Sequence, residues 1–339
     1  MSFRVRPVRN DDFEAIYEMA KLTGGGFTNL PPDRGTLVDK LIRSEQGFAR
    51  DADEPGGDLF MFVLENVDTG QIRGTCQVFS QVGTESPFYS YRISTLTQTS
   101  KALGRTFRNE MLTLVTDFDG CSEVGGLFLH PEARAGGLGQ LLARSRYLFI
   151  KLHRKRFAQK VLAELRGVMD NQGGSPFWDG IAGRFFGMGF AEADEFNATH
   201  GTQFIADLMP KTPIYTAMLS ESARSVMGVP HPSGRAAMKM LEREGFAWDC
   251  YVDIFDGGPT MTCATDQVRT VRDAREEVLS GVSEAEGGQT MLVAAGKLEG
   301  FACCWGQVRY PSDGGVTLDA KAAGMLGLAP GDSFVAAGR

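Results

Sequence analysis

The chain has 339 residues, 42% hydrophobic and 23% charged, with 35 basic against 42 acidic side chains and a net charge of −7. These figures exclude a disordered, collagen-like or coiled-coil chain and give enough length for two or three domains with buried cores. The acidic balance argues against nucleic acid as a partner, no apolar run reaches the ~18 residues of a membrane span, and no signal-peptide core opens the chain, so a cytoplasmic location is expected. Phe3, Val5 and Pro7 alternate with arginines and predict a strand. Asp11 with Glu14 reads as a capping box for a helix that carries Phe13, Ile16, Tyr17 and Ala20 on one face. Gly24 to Gly26 end that helix, and Pro31-Pro32-Asp33 open a second near Arg34. Phe60 to Glu65 and Gln71 to Phe79, joined by Asp68-Thr69-Gly70, predict an antiparallel hairpin. Tyr89, Tyr91 and Ile93 alternate as in a strand, and Leu112 to Val115 are a candidate for another.

The strongest local pattern lies at residues 121–170. Val124 to Leu129 is a short apolar strand stopped by His130-Pro131. Arg134-Ala135-Gly136-Gly137-Leu138-Gly139 forms a glycine-rich turn, followed by a helix with Leu141, Leu142, Leu148, Phe149 and Leu152 on one face. Lys160 to Leu165 is a second strand, so the unit is strand–turn–helix–strand and predicts a parallel pair. Residues 176–190 read as a helix closing on Gly189 before a strand at Phe190, and 235–246 repeat that ending with Gly245 and Phe246. The repeat suggests a partial second copy of the unit. From Gln289 onward, short apolar runs alternate with glycine turns and predict a small all-β region. The expected division is 1–195, 196–285 and 286–339.

None of the six cysteines forms a C-x-x-C pair, so no metal site and no disulfide is expected. Arg134-x-x-Gly137-x-Gly139 at a strand-to-helix junction is a candidate phosphate site, because backbone N–H groups and a helix N-terminus converge there. It is neither a P-loop nor a dinucleotide fingerprint, and a plain tight turn is the competing reading.

Leu127-Phe128-Leu129-His130-Pro131-Glu132-x-Arg134-x-x-Gly137-x-Gly139-x-Leu141-Leu142 resembles the acyl-CoA motif of the GCN5-related N-acyltransferase superfamily. Across the chain, Leu22 to Pro31, Ala163 to Asp170, Ser175 to Trp178, Leu208 to Tyr215, Val229 to Pro232 and Tyr251 to Thr260 resemble the arginine N-succinyltransferase family. The resemblance covers residues 3 to about 270, and the C-terminal part matches only loosely. It implies an α/β (α+β) acyltransferase fold with a mixed sheet flanked by helices, a second partly duplicated lobe and a small C-terminal β subdomain. It further implies transfer of succinyl from succinyl-CoA to the α-amine of L-arginine, with no metal and no prosthetic group. Leu127 and Leu129 would hold pantetheine, and Arg134, Gly136, Gly137, Leu138 and Gly139 the pyrophosphate, between splayed strands.

Four histidines are candidates for proton transfer: His130 near the CoA turn, His153 in a basic and solvated helix end, His200 in a loop, and His231 in a proline-braced turn. The resemblance implies that His231 is the proton donor. Arginine needs a carboxylate for its guanidinium and a cation for its own carboxylate. Glu164, Asp170, Asp253 and Asp256 are candidate acids, and Arg166 and Arg235 candidate cations, with Glu164 and Arg166 preferred. A covalent route through Cys121 or Cys250 would need an activated thiolate, which the local sequence does not supply. Alternatives are a related N-acyltransferase acting on ornithine or another amine, and a non-catalytic protein that binds acyl-CoA or arginine. A homo- or hetero-oligomer is compatible with the sequence.

Overall fold

The computed structural model describes all residues except Met1, 24–28, 171–172, 201–202, 284–286 and 313, and leaves aside the side chains of 194, 195, 198–200 and 206. β1 (Phe3–Pro7) leads to α1 (Phe13–Lys21) and α2 (Arg34–Ala49), then to the hairpin β2 (Leu59–Asn66) and β3 (Ile72–Phe79). A second, longer hairpin follows, β4 (Ser90–Ser100) and β5 (Arg105–Val115). β6 (Ser122–Leu129), α3 (Leu138–Leu152) and β7 (Lys160–Glu164) form the expected strand–turn–helix–strand unit.

The stretch after β7 is mostly helical: α4 (Pro176–Gly180), α5 (Gly183–Phe186), α6 (Phe190–His200), α7 (Gln203–Leu208), the short β8 (Ile214–Tyr215), α8 (Glu221–Val226) and α9 (Arg235–Glu244). The hairpin β9 (Ala247–Val252) and β10 (Pro259–Ala264) and helix α10 (Arg269–Asp273) come next. The chain ends with β11 (Arg275–Ser283), β12 (Gln289–Ala295), β13 (Ala302–Arg309), β14 (Val316–Asp319), α11 (Ala320–Leu326) and β15 (Ser333–Gly338).

Alternation along β2 explains how the layers assemble. Phe60, Phe62 and Leu64 pack into the core that holds Leu141, Leu148 and Phe149 of α3. Leu59, Met61 and Val63 point the other way, into the core formed with Ile16 and Met19 of α1 and Leu37 and Leu41 of α2. A strand buried on both faces reads as a continuous apolar run, as Leu59 to Leu64 does. No helix among the described residues is long and apolar enough to cross a membrane.

Two local expectations are corrected. Asp11 does not cap α1. Asp12 turns back instead, accepting the Arg9 N–H at 2.8 Å and both terminal nitrogens of Arg6 at 2.7 and 3.0 Å, because the buried Arg6 guanidinium needs a counter-charge. Phe190 begins helix α6 and not a strand, while the matching ending at Gly245 does lead into β9.

One sheet runs β13-β1-β2-β3-β6-β7-β10-β9-β4-β5-β8 through the body of the molecule. β9 and β10, from the stretch expected to form a second lobe, thus continue this sheet beyond β7. β12, β15, β11, β14 and β13 pair in that order, and β12 also pairs with β13, so the five strands close into a ring. Leu279, Val293, Cys304, Leu318 and Phe334 fill it, with Ala322 and Ala323 of α11 against them. The C-terminal region is therefore β-rich with one helix rather than all-β, and β11 belongs to the ring by its pairing with β14 and β15.

Candidate active site

The site is built on a failure of pairing. β6 and β7 run parallel and are in register at Ser122 opposite Val161 and Glu123 opposite Leu162. Beyond those pairs the strands part. On its other side β6 carries a bulge, since Gly125 opposes Gln77 while Phe128 opposes Thr75, leaving Gly126 and Leu127 against Cys76 alone. A bulge re-aims backbone groups and side chains next to a cleft. Leu127, in the bulge, and Leu129, beyond it, are partly buried against the core under α3.

At the exit of β6, Arg134 donates from Nε to the Leu129 carbonyl at 3.2 Å and clamps the turn to its strand. Gly136 and Gly137 both have positive φ, 64° and 81°, which a side chain would strain, and Gly137 is the N-cap of α3. The N–H groups of Gly136, Gly137, Gly139 and Gln140 have no carbonyl partner among the described residues, and Leu138 opens the helix between them. Four free donors and a 15-residue helix dipole make this turn able to hold a phosphate.

On the facing side, the chain leaving β7 is gripped by two loops. Gly167 bridges to Pro230, and the His231 N–H donates to the Arg166 carbonyl at 2.7 Å. Asp256 accepts from the N–H groups of Gly167 and Gly258 at 2.7 and 2.8 Å. The backbones pass so closely that a Cβ at Gly258 would run into the Leu165 carbonyl. His231, Arg166 and Glu164 are thereby gathered at the end of β7. The His231 Nδ1 lies 2.7 Å from the Ser233 hydroxyl and accepts the Ser233 N–H at 3.2 Å, which leaves Nε2 as the proton-bearing atom. Burial, and next the Arg166 charge, hold this imidazole below the ordinary histidine value. The Arg166 Nε is buried and has no hydrogen-bond partner among the described residues.

Glu164, Asp253, Asp256 and Glu123 crowd this end of the splay. Burial, followed by repulsion from Asp253, Glu123 and Asp256, pushes Glu164 well above the usual carboxylate range. Asp253 is raised by burial, and Asp256 is raised to about 8 by burial and by Asp253. Their hydrogen bonds separate their roles. Asp253 accepts from the N–H groups of Phe255 and Asp256, and Asp170 accepts from Gly174, so both brace loops as Asp256 does. Glu164 makes no ion pair among the described residues and lies 3.5 Å from the Thr260 hydroxyl. It is the carboxylate of the group left available to a ligand.

Glu123 escaped the sequence reading, which began the strand one residue later at Val124. It is buried, accepts from Asn29 Nδ2 at 3.0 Å, and is raised by burial. An acid inside an otherwise apolar strand was the available signal. Lys40 of α2 also belongs here, its amine lowered to about 8 by burial against the opposing pull of Glu123.

The other candidates separate from the site. His153 is not solvated: Nδ1 bonds the Phe149 carbonyl at 2.9 Å, Nε2 accepts the Leu298 N–H at 3.1 Å, and burial lowers the ring to about 4. His130 caps its own turn, with Nδ1 accepting from Glu132 at 3.4 Å. The His200 side chain and residues 24–28 of the Leu22–Pro31 stretch lie outside the described residues. Arg235 is exposed at the start of α9. Cys121 is buried and its thiol is pushed up, opposite to an activated nucleophile, and Cys250 is exposed on β9.

The family model described as arginine N-succinyltransferase beta subunit matches residues 3–270, and the model for that subunit's C-terminal domain matches 275–338. An arginine N-succinyltransferase of Citrobacter koseri is 44% identical over 273 residues, 80% of this chain and 78% of that one. A Salmonella newport protein of the same name is 44% identical over 271 residues, with the same shares covered. Among solved structures, the arginine/ornithine succinyltransferase subunit AI of Pseudomonas aeruginosa superposes with a TM-score of 0.89 at 30% identity, over 99% of this chain and 98% of that one. The chain belongs to the arginine N-succinyltransferase beta subunit family.

Proposed function

We propose that this protein transfers the succinyl group of succinyl-CoA to the α-amine of L-arginine by direct attack, as a cytoplasmic enzyme. The observation that carries the substrate reading is the buried acidic group around Glu164. Carboxyl groups crowded together out of water keep their protons until a cation compensates them, and a guanidinium or ammonium group is such a cation. Glu164 receives that cation, and Arg166, with its unpartnered Nε, receives a carboxylate.

The thioester lies in the gap between β6 and β7. Leu127 and Leu129 flank the pantetheine, and the turn from Arg134 through Gly136, Gly137, Leu138 and Gly139 takes the pyrophosphate. Attack forms a carbon–nitrogen bond, and collapse of the tetrahedral intermediate breaks the carbon–sulfur bond. Nitrogen loses one proton and sulfur gains one. His231 is the station for that proton: the neutral ring takes it up as the amide forms, and Nε2 of the resulting imidazolium delivers a proton to the leaving sulfur, which returns the ring to neutral. Its lowered pKa keeps the resting ring neutral near pH 7 and able to accept.

Thiol release on mixing the protein with succinyl-CoA and L-arginine tests the reading. No release with arginine, but release with ornithine, would move the assignment to the other amine in the name of the Pseudomonas aeruginosa relative. Binding of CoA or arginine without any thiol release would make the protein a ligand-binding member of the family.

A further inference from the structure

The C-terminal ring reaches the turn at the start of α3. Arg144, on the second turn of α3, donates to the Gly338 carbonyl at 2.7 Å and so fixes the residue that follows. Arg339 then lies with its guanidinium 5.4 Å from the centre of the Trp305 ring. A Cβ placed on Gly137 would be 3.2 Å from a terminal nitrogen of Arg339 and 4.0 Å from the Trp305 Nε1. The Arg339 guanidinium makes no ion pair among the described residues, and the Trp305 Nε1 is buried with no hydrogen-bond partner. A buried donor without an acceptor costs free energy until something accepts from it. A charged donor and a neutral donor therefore stand beside four N–H groups that have no carbonyl partner among the described residues.

We propose that Arg339 and Trp305 of the ring complete the phosphate site of the 134–139 turn, so that the C-terminal region supplies part of the CoA-binding surface. This rests on the acyl-CoA reading of that turn and extends it to a second region of the chain. The arrangement also answers an electrostatic difficulty. The protein carries a net charge of −7 and the ligand is an anion, so a local cation at the turn offsets an unfavourable field. Arg144 acts as a positioning residue, through the Gly338 carbonyl.

The test is calorimetric binding of CoA, dephospho-CoA and pantetheine to the full chain and to Arg339→Ala, Arg339→Lys and Trp305→Phe. Arg339→Ala should weaken CoA about tenfold and Trp305→Phe severalfold, Arg339→Lys should keep most of the affinity, and pantetheine should bind all four proteins equally. Equal loss for CoA and dephospho-CoA supports contact with the pyrophosphate, and loss for CoA alone supports contact with the 3′-phosphate. Arg339 is exposed, so its replacement leaves the fold in place, and unchanged melting temperatures check this for both sites. CoA affinity within twofold of the parent in both Arg339→Ala and Trp305→Phe would overturn the proposal while leaving the function intact. Failure of the unaltered chain to bind CoA would overturn both.

Discussion

Two turns in this protein begin with the same dipeptide, His130-Pro131 and His231-Pro232, and fold almost identically. Backbone angles are φ −53°, ψ 136° at His130 and φ −50°, ψ 144° at His231, each opens a 3-10 turn with proline first, and each imidazole Nδ1 accepts the N–H two residues on. Local sequence dictates that cap, because proline presets φ and the ring nitrogen satisfies a donor at the helix start. The difference is tertiary. The His130 N–H is spent on the Arg73 carbonyl, and its ring lies 3.8 Å from the exposed Glu132 carboxylate. The His231 N–H is spent on the Arg166 carbonyl, and its ring sits by the Arg166 cation and the Ser233 hydroxyl at the end of β7. One motif thus serves as a cap in one place and is proposed as a proton station in the other.

The widest separation should come from replacing each ring. His231→Gln should lower kcat about a hundredfold or more with little change in succinyl-CoA binding, whereas His130→Gln should stay within severalfold of the parent. Steady-state kinetics on both variants decides this, and equal effects at the two turns would erase the distinction. Next in size is Glu164→Gln. Loss of a charged hydrogen bond is worth about 1.5–3 kcal/mol, so KM for arginine should rise roughly ten- to a hundredfold while KM for succinyl-CoA moves little. A matching rise for both substrates would remove Glu164 from amine recognition.

Much of the fold was readable because its signals are local. The β2–β3 hairpin, α3 and its glycine turn follow from apolar periodicity and turn residues, and they stand where the pattern places them. Illegible parts depend on distant partners. Phe186-Gly187-Met188-Gly189-Phe190 and Glu244-Gly245-Phe246 look alike as strings, yet Phe190 starts a helix while Ala247 finds β10 and joins the sheet. β9 and β10 could not be assigned to the first sheet, because their neighbour β7 lies almost a hundred residues away. For the site, His231, Glu164 and Arg166 were named from sequence, and the structure gathers them at one strand end. Asp253 and Asp256 carry the same side chain as a ligand-binding acid would, and only their backbone donors reveal them as loop braces.

Arg166→Gln sharpens the comparison through pH. His231 is lowered first by burial and second by the Arg166 charge. Removing a positive neighbour favours the protonated ring, so the His231 pKa must rise, though burial keeps part of the depression. If the neutral ring is the working form, kcat/KM falls as pH drops through that pKa. The acidic limb of the profile should therefore lie below about 6.5, the ordinary histidine value, in the parent and move upward in the variant. An NMR titration of the ring checks the same shift without turnover. A limb that stays in place or moves down would show that Arg166 does not set the charge state of His231.

The smallest expected effect tests whether Ser233 orients the ring. Its backbone N–H and its hydroxyl both meet Nδ1, at 3.2 and 2.7 Å, but Ser233→Ala removes only the hydroxyl. The backbone contact still favours the tautomer with the proton on Nε2, so the ring should keep its role and lose only part of its restraint. One neutral hydrogen bond is worth about 1 kcal/mol, which sets the loss in kcat at roughly fivefold, with KM for both substrates unchanged. His130 has no hydroxyl at the equivalent place, since Glu132 stands two residues on. Glu132→Ala should accordingly leave kcat as it is, and a fivefold loss there as well would mean that the effect at Ser233 comes from the shared cap and not from a turn adapted for proton transfer.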